Sequence, residues 1–215
     1  FPVGNTGVQM AGWFNKEINS VDDLAGLKIR MPGLGGEVMQ RAGALQVTVP
    51  GSEIFTSLQS GAIDAAEWIG PYNDVSLGLH KAAKYYYYPG WHEPGPVIEC
   101  LVNQSAWDSL PADLQQIVKL ACQAGVADMQ AEYDWGNAQA LKQLQDDPDV
   151  EIRPLPKDVL DTLRGYAREA VERMSADDEF AARLQTSFDA FQELSSVNQS
   201  VGETAYINYR TGLCG

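Results

Sequence analysis

The amino-acid sequence predicts an α/β fold with a mainly parallel β-sheet. Apolar runs of strand length alternate with short helical segments from the start of the chain to about residue 83. Gly, Pro or Ser residues bound these segments, and a much longer helical pattern follows from Pro111. Frequent alternation of this kind is typical of parallel strands joined by helices. The length of 215 residues, 45% of them hydrophobic, allows a substantial core in one domain or in two small lobes.

The first helices and strands follow from local signals. In "NSVDDLAG", Ser20 is expected to cap a short helix that ends at Gly26. The next apolar run, "LKIRMPG", predicts a strand that Pro32 closes. A helix in "LGGEVMQRAGA" and a second strand in "LQVTVPG" are expected to follow.

The same alternation continues through the next segment. Ser52 is expected to cap the helix in "SEIFTSLQSG", which ends at Gly61. The run "AIDAAEW" predicts another strand. The helix in "PYNDVSLGLHKAA" then begins at Pro71, because the fixed backbone angle of proline suits the first turn of a helix.

An aromatic, Pro-rich segment then interrupts the pattern. We expect strands at Tyr85–Tyr88 and Val97–Asn103, which either pair antiparallel or pass between two lobes. From Pro111 a helix longer than about 25 residues is predicted, long enough to bridge two lobes. A short extended piece, "VEIRPLP", precedes a helix opened by Pro156. The remaining residues predict weakly amphipathic helices, which pack either on a partner subunit or on their own domain.

The charge balance limits the classes of partner. The chain has 15 Lys and Arg against 29 Asp and Glu, a formal net charge of −14. So acidic a chain is repelled by nucleic acid and by anionic membranes. No apolar run reaches the roughly 18 residues that a membrane-spanning helix needs. The first residues, "FPVGNTGVQM", are neither a signal peptide nor an initiator methionine start, so the chain looks trimmed at its N-terminus.

The cysteines do not identify a cellular compartment. Cys100, Cys122 and Cys214 form no C-x-x-C motif, and their odd number leaves at least one thiol unpaired. Cys122 lies in a helical pattern and is expected to be a buried, reduced thiol. A disulfide from Cys214 to either of the other two is compatible with the sequence.

Motifs of nucleophilic and nucleotide chemistry are absent from the sequence. There is no G-x-S-x-G elbow, no Walker A loop and no G-x-G-x-x-G, and "GLGGE" lacks the spacing and the lysine of a phosphate loop. The two histidines are His80 and His92. His80 is expected to be structural, and a zinc site needs more His or Cys ligands than the chain easily assembles.

Arg30 is the first candidate binding residue. It interrupts the apolar strand "LKIRMPG" just before that strand ends. At the carboxyl end of a parallel strand, side chains point into the crevice where ligands of α/β proteins bind. A planar guanidinium there matches a carboxylate with two hydrogen bonds. The alternative is an arginine at a strand edge that pairs with a surface glutamate.

Glu67 occupies the corresponding position at the end of "AIDAAEW". A carboxylate so close to an anion-binding arginine either neutralises the arginine or holds a cation. Sodium and calcium prefer oxygen ligands, which Gln9, Glu93 and the backbone carbonyl of Trp68 could add. The plainer interpretations are a polar strand residue for Gln9 and a turn carboxylate for Glu93.

Four stretches, "FPVGNTGVQMAGWF", "LKIRMPGLGGEVM", "GSEIFTSLQSGAIDAAEWIGPYND" and "KYYYYPGWHEPG", carry a resemblance to a known family. In this order they resemble the extracytoplasmic solute-binding receptors of TRAP transporters, in the branch that binds 2-oxo acids or lactate with a metal ion. The resemblance implies that Arg30 binds the ligand carboxylate. It implies a sodium or calcium site formed by Gln9, Glu67, Trp68 and Glu93. It places these residues at the substrate, together with Arg30: Gln9, Glu67, Trp68, Asn5, Tyr72, Asn73, Trp91 and His92.

The resemblance also implies an architecture. It is a two-lobed, periplasmic-binding-protein-like fold with hinge strands, a long lobe-spanning helix and C-terminal helices. Residues 1–95 and about 136–165 would form most of the second lobe, and residues 96–135 would return to the first lobe. Residues 166–215 would form C-terminal helices that build a homodimer. The N-terminal part of one lobe is expected to be missing from this chain.

The implied function is binding rather than catalysis. The receptor would capture its ligand in the periplasm and deliver it to TRAP membrane subunits. Pyruvate or another 2-oxo acid is the first candidate ligand, and lactate is the second. A metal-dependent enzyme that acts on a 2-oxo acid, with Glu67 or Glu93 as base, is the alternative. A fragment that serves only as a dimerisation module is a third possibility.

Overall fold

The computed structural model describes residues 1–176 and 178–212. The chain divides into two compact units, the first spanning Phe1–Ala167 and the second starting at Arg168. Strands and helices alternate through the first unit, as the sequence predicts. The second unit contains helices only, among the residues described.

The strands of the first unit form two separate sheets. In chain order they are β1 (Pro2–Gly4), β2 (Gly12–Phe14), β3 (Lys28–Arg30), β4 (Leu45–Gln46), β5 (Ala65–Ala66), β6 (Tyr85–Tyr88), β7 (Ile98–Glu99) and β8 (Glu151–Pro154). A six-stranded sheet has the order β4-β3-β5-β2-β6-β8, and β1 pairs with β7 in a two-stranded sheet. The mainly parallel sheet is confirmed, with one exception. Strand β2 runs antiparallel to both β5 and β6, because the chain enters it from the small sheet and not through a crossover helix.

The helices follow the predicted order with some changed boundaries. They are α1 (Gly33–Arg41), α2 (Ile54–Gln59), α3 (Pro71–Ser76), α4 (Gln104–Ser109), α5 (Ala112–Gln145), α6 (Lys157–Ala176), α7 (Glu179–Val201) and α8 (Glu203–Thr211). Short 3₁₀ helices lie at Val21–Leu24, Gly51–Glu53 and Leu79–Lys81. Ser20 precedes the first of these, as predicted, and its N–H donates to Asp23 Oδ2 at 3.0 Å.

Two local predictions about helices are wrong. Ser52 does not cap α2, because it lies inside the 3₁₀ helix Gly51–Glu53 that leads into α2. The helix that begins at Pro71 ends at Ser76 and not beyond Lys81. Gly78 has a φ of +73°, a left-handed conformation that stops the helix and starts the turn that holds His80. Burial lowers the pKa of His80.

The strand expected at Val97–Asn103 is reduced to β7, and it lies in the small sheet beside β1. It therefore does not pair with Tyr85–Tyr88, and the antiparallel alternative is wrong. Gln9 lies between β1 and β2, so its interpretation as a polar strand residue is also wrong.

The long helix α5 connects the two sheet regions, as its predicted length suggests. A Cβ atom at Gly125 would lie 3.0 Å from the carbonyl oxygen of Val3 in β1. Further along α5, Asn137 accepts a hydrogen bond from the Tyr72 N–H at 3.1 Å and donates to the Thr6 carbonyl at 3.2 Å. Helix α5 therefore packs on β1 with one part and on α3 with another.

The core of the first unit lies between the large sheet and its helices. Trp13 and Tyr86 are fully buried and stack with ring centroids 4.0 Å apart. Ile54, Leu58 and Leu144 pack into the same cluster from α2 and α5. This core includes Ala66 at the end of β5, directly before the candidate binding residue Glu67.

Cys122 is a buried free thiol, as predicted, and Cys100 is a half-buried free thiol. Cys214 lies outside the described residues, so a disulfide to it stays a prediction. Among the residues that the structure describes, none of the helices combines the length and the apolar character that a membrane span requires.

Candidate functional site

The candidate site begins where two neighbouring parallel strands end. In the register of β3 and β5, Ile29 pairs with Ala65 and Arg30 with Ala66. The next residue, Glu67, donates its N–H to the Arg30 carbonyl at 3.1 Å. Because the carboxyl ends of parallel strands meet at one edge of a sheet, the side chains of Arg30 and Glu67 come together there.

Arg30 is held rigidly at this edge. Its Nη1 donates to the Glu67 carbonyl at 2.7 Å and to Glu67 Oε2 at 3.3 Å, and its Nε donates to the Val49 carbonyl at 3.4 Å. The Arg30 side chain is 13% exposed. Burial lowers the pKa of Arg30 and the Glu67 charge raises it, and an arginine starts so far above neutrality that it stays charged.

Glu67 is a buried carboxylate, with a side chain only 4% exposed. One oxygen, Oε2, contacts Arg30, and the other, Oε1, lies 3.5 Å from His92 Nε2. The partner of Arg30 is thus buried, unlike the surface glutamate of the alternative interpretation. A charged carboxylate this deep in the protein requires a cation or strong donors around it.

Gln9 and the segment Trp91–Glu93 complete what we call the Arg30 cluster: Gln9, Arg30, Glu67, His92 and Glu93. Gln9 is buried, its Oε1 lies 3.2 Å from His92 Nε2, and its N–H donates to the Glu93 carbonyl at 3.3 Å. A Cβ atom at Gly90 would lie 2.1 Å from the Gln9 carbonyl oxygen. Only glycine therefore permits the approach of these two segments.

The Arg30 cluster fits a hard cation. Glu67, His92 and Glu93 each offer a ligand atom, and these atoms lie within 4.8 Å of one another. His92 Nε2 faces two acceptors, Gln9 Oε1 and Glu67 Oε1, so it acts as the hydrogen-bond donor. Its Nδ1 is buried and finds no hydrogen-bond partner among the described residues, whereas metal-ligating histidines usually donate through their second nitrogen. The oxygens of Glu67, Glu93 and Gln9 are therefore the better ligands, and they suit sodium or calcium.

Trp68 forms an aromatic wall beside the arginine. Its ring centroid lies 5.3 Å from Arg30 Cζ, a cation–π distance. A Cβ atom at Gly51 would lie 2.7 Å from Cη2 of this indole, so the 3₁₀ helix before α2 presses directly on the ring. Trp68 is thereby fixed in place over the guanidinium.

The remaining candidate binding residues contact different parts of the structure. Tyr72 contacts α5, where its hydroxyl lies 3.3 Å from Glu132 Oε1 and its ring packs edge-on against Tyr133. Asn73 Oδ1 is buried and unpaired among the described residues, and Asn5 Oδ1 accepts from the Gly7 N–H at 2.7 Å. Trp91 packs edge-on against His92, with ring centroids 5.4 Å apart. The structure thus brings Trp91 to the Arg30 cluster, while Tyr72 contacts α5.

Asp74 is a buried carboxylate that sequence reasoning missed. It is 1% exposed and accepts three hydrogen bonds, from the Ile69 N–H at 3.2 Å, Trp13 Nε1 at 3.0 Å and the Tyr86 hydroxyl at 2.8 Å. Burial raises the pKa of Asp74 to about 7, and the charge of Glu67 adds to the rise. Asp74 fixes the backbone just after Glu67 and Trp68. An acidic residue in the first turn of a helix is so ordinary that no sequence signal distinguished it.

Comparisons with known proteins show which proteins this chain resembles. The monocarboxylate 2-oxoacid-binding periplasmic protein of Nostoc sp. is 43% identical over 209 residues, which cover 97% of this chain and 57% of that protein. A TRAP periplasmic solute-binding protein of Colwellia psychrerythraea, solved with bound calcium and pyruvate, is 41% identical with a TM-score of 0.93. One from Pseudoalteromonas atlantica, solved with bound sodium and pyruvate, is 43% identical with a TM-score of 0.91.

The two solved structures confirm the predicted fold class. Each likeness covers 97% of this chain, but 64% of the Colwellia chain and 63% of the Pseudoalteromonas chain. The chain therefore spans between about half and two thirds of the length of these relatives. The model of a protein family, DctP, bacterial extracellular solute-binding protein family 7, matches residues 1–178. The resemblance noted in the sequence is confirmed, and the chain belongs to family 7 of the bacterial extracellular solute-binding proteins.

Proposed function

We propose that this chain is the ligand-binding part of a periplasmic TRAP-type receptor that captures a small monocarboxylate together with a sodium or calcium ion. Pyruvate or another 2-oxo acid is the first candidate ligand and lactate the second. The receptor delivers its ligand to separate membrane subunits and breaks no bond in it. Membership of a family of solute-binding proteins supports binding and gives the enzymatic alternative no support.

The observation that carries the proposal is the buried contact between Arg30 and Glu67. Two opposite charges are held 3.3 Å apart at the sheet edge, with His92 and Gln9 beside them. A ligand carboxylate would pair with Arg30, and a cation would pair with Glu67. The ligand carboxylate would take the place of Glu67 as the negative partner of Arg30. The cation would take the place of Arg30 as the positive partner of Glu67.

This exchange makes ligand and cation binding interdependent. A carboxylate that bound alone would compete with Glu67 for Arg30 and leave a buried negative charge without compensation. A cation that bound alone would leave Arg30 without its partner. Binding of both restores neutrality, so each should raise the affinity of the other by the same factor.

The residue roles follow from these charges. Gln9, Glu67, Glu93 and the Trp68 carbonyl supply oxygens to the cation, and the ligand adds its carboxylate and its 2-oxo or 2-hydroxy oxygen. We assign the ligand-enclosing contacts to the other residues of the predicted set, namely Asn5, Tyr72, Asn73, Trp91 and His92. Two indoles, of Trp68 and Trp91, exclude water and thereby strengthen the ionic contacts.

We also retain the proposed two-lobed organisation, with residues 1–95 and about 136–165 mostly in one lobe and 96–135 in the other. The β1–β7 sheet is separate from the six-stranded sheet, which supports two sheet regions. Because β1 pairs with β7, we assign Pro2–Gly4 to the lobe of residues 96–135. Contacts from both lobes to one ligand would favour the closed conformation.

Calorimetry tests the binding proposal. Pyruvate is titrated into the full-length receptor under three conditions. The buffer contains calcium, or it contains sodium, or it is sodium-free and its divalent cations are chelated. We expect heat of binding with a cation and at least a tenfold loss of affinity without one. Equal pyruvate affinity with and without cations would overturn the proposed coupling. NMR spectra of pyruvate incubated with protein and calcium test the enzymatic alternative, which requires turnover.

We further propose that the C-terminal helices build a homodimer. Helix α7 carries large apolar side chains at intervals of three or four residues, and each is more than half exposed. These side chains are Phe180, Leu184, Phe188, Phe191, Leu194, Val197 and Val201. Spacing of this kind forms one continuous stripe along a helix, which a second copy could cover.

Light scattering after size exclusion tests the dimer. We expect twice the monomer mass for the native protein and a monomer for the Phe191→Asp, Leu194→Asp double variant. Glu193→Gln, in the same helix, is the matched control and should remain dimeric. A native protein that runs as a monomer at high concentration would contradict the proposal.

A further inference from the structure

We propose that Cys100 and Cys122 are an oxidation site, at which a disulfide joins the end of β7 to helix α5. The proposal concerns the small sheet and α5, outside the Arg30 cluster, and does not depend on the ligand. It also replaces Cys214 as the expected partner of either thiol.

The position of Cys100 is set by the small sheet. Its N–H donates to the Phe1 carbonyl at 2.8 Å, and its carbonyl accepts from the Phe1 nitrogen at 2.9 Å. Cys100 thus extends the antiparallel pairing of β1 with β7, one residue beyond Pro2 and Glu99. The backbone of Cys100 is fixed beside Phe1.

The position of Cys122 is set by the packing of α5 on β1. A Cβ atom at Gly125 would meet the Val3 carbonyl at 3.0 Å, and one at Gly4 would lie 2.0 Å from Met129 Sδ. Cys122 lies three residues before Gly125, and Met129 four residues after it, so all three share one face of the helix. Met129 lies beside Gly4 and Gly125 beside Val3, so residues earlier in α5 lie beside earlier residues of β1. Cys122 therefore lies towards Phe1, the residue with which Cys100 pairs.

The two thiols lie close to each other, as this alignment requires, because Cys100 is near enough to act on the titration of Cys122. Burial raises the pKa of Cys122, and the neighbouring Cys100 raises it further. Cys122 is 5% exposed, whereas Cys100 is half-buried. Cys100 is therefore the thiol that an external oxidant reaches first.

The chemistry is thiol–disulfide exchange with an external disulfide. The Cys100 thiolate attacks one sulfur of that disulfide, and a mixed disulfide forms while one external thiol leaves. The Cys122 thiolate then attacks the Cys100 sulfur and releases the second external thiol. The two cysteines lose two protons and two electrons in total, and the external disulfide gains them as two thiols.

The bond would close residues 101–121, including α4, into a loop and hold the small sheet on α5. Crosslinks that close a loop of this length stabilise a protein by limiting its unfolded state. Extracellular and periplasmic compartments provide the disulfide chemistry that such a site needs.

Peptide mapping tests the proposal. The whole chain is incubated with oxidised glutathione, quenched with acid, alkylated and digested with trypsin. Cleavage after Lys84, Lys119 and Lys142 places Cys100 in peptide 85–119 and Cys122 in peptide 120–142. We expect these peptides to be joined. The proposal is overturned if either is joined instead to peptide 211–215, which carries Cys214, or if glutathione stays on Cys100 while Cys122 remains free.

Variants and thermal unfolding provide a second readout. Cys214→Ser is the matched control and should keep the crosslink, whereas Cys122→Ser should abolish it. For the native chain and the control, oxidation should raise Tm by about 5–10 °C relative to the reduced form. The comparison of oxidised with reduced native protein remains informative if Cys122→Ser fails to fold. An unchanged Tm in the native chain after complete oxidation would contradict the role assigned to the bond.

Discussion

Two buried carboxylates lie close together in this protein, and their surroundings differ in kind. Asp74, in the core beside Trp13 and Tyr86, accepts three hydrogen bonds from neutral donors. Glu67, at the sheet edge, faces the charged guanidinium of Arg30 and the imidazole of His92. Neutral donors satisfy Asp74 without any further group, whereas the charges around Glu67 can be exchanged for those of a ligand and a cation. The comparison separates a carboxylate that maintains structure from one suited to binding.

The largest expected effect is on folding, at the core carboxylate. Asp74→Ala leaves three donors buried without an acceptor, and each such group costs about 1–3 kcal/mol. We expect the free energy of unfolding to fall by about 3–6 kcal/mol in urea denaturation. Asp113→Ala, at the exposed first turn of α5, is the control and should change it by less than about 1 kcal/mol. A similar loss for both variants would remove the distinction between the two carboxylates.

The second prediction concerns pH. The pKa of Asp74 is raised by burial from an ordinary value of 3.8 to about 7 in the folded chain. Between these values the folded state binds more protons than the unfolded state, so stability falls as pH rises. The raised pKa of Asp74 adds up to about 4 kcal/mol to the free energy of unfolding. This contribution is complete below about pH 4 and is lost as pH rises through 7.

The difference between native protein and Asp74→Asn isolates this contribution, because the other titrating groups are common to both. Urea denaturation at several pH values measures it. We expect the excess in the free energy of unfolding of the native protein over Asp74→Asn to shrink between pH 4 and pH 8. An excess that stays constant over that range would show that the folded and unfolded pKa values of Asp74 coincide.

The third prediction concerns ligand binding at the sheet edge. Arg30→Ala removes the cation that would pair with the ligand carboxylate, at a cost of about 2–5 kcal/mol in binding. Pyruvate titration in the presence of calcium should show an affinity lowered by about 30-fold or more. Arg164→Ala, an exposed position on α6, is the control and should bind normally. Normal binding by Arg30→Ala would make the assignment of Arg30 wrong.

The smallest expected effect separates cation binding from folding. Glu67→Gln keeps the shape of the side chain and removes its charge. We expect calcium affinity to fall about tenfold, or about 1.4 kcal/mol, with a smaller change in the free energy of unfolding. Parallel calcium titrations and thermal unfolding measure the two quantities. An unfolded Glu67→Gln would place Glu67 with Asp74 as a structural carboxylate.

Much of the fold and part of the site followed from the sequence alone. The alternation of apolar runs with helical segments predicted the order of strands and helices, including β6 at Tyr85–Tyr88 and the long helix α5. The position of Arg30 and Glu67 at strand ends predicted that they would meet, because neighbouring parallel strands end at one edge. These signals are local, and each depends on the backbone preferences or periodicity of a few adjacent residues.

Other features were decided only by the tertiary structure. The contact of Gln9 with His92 joins distant parts of the chain, and so do the hydrogen bond of Asp74 with Trp13 and the closeness of Cys100 to Cys122. The reversed direction of β2 likewise depends on which strands surround it. A local pattern determines how a segment folds and which of its faces is apolar. It does not determine which distant segment covers that face, because packing of the whole chain makes that choice.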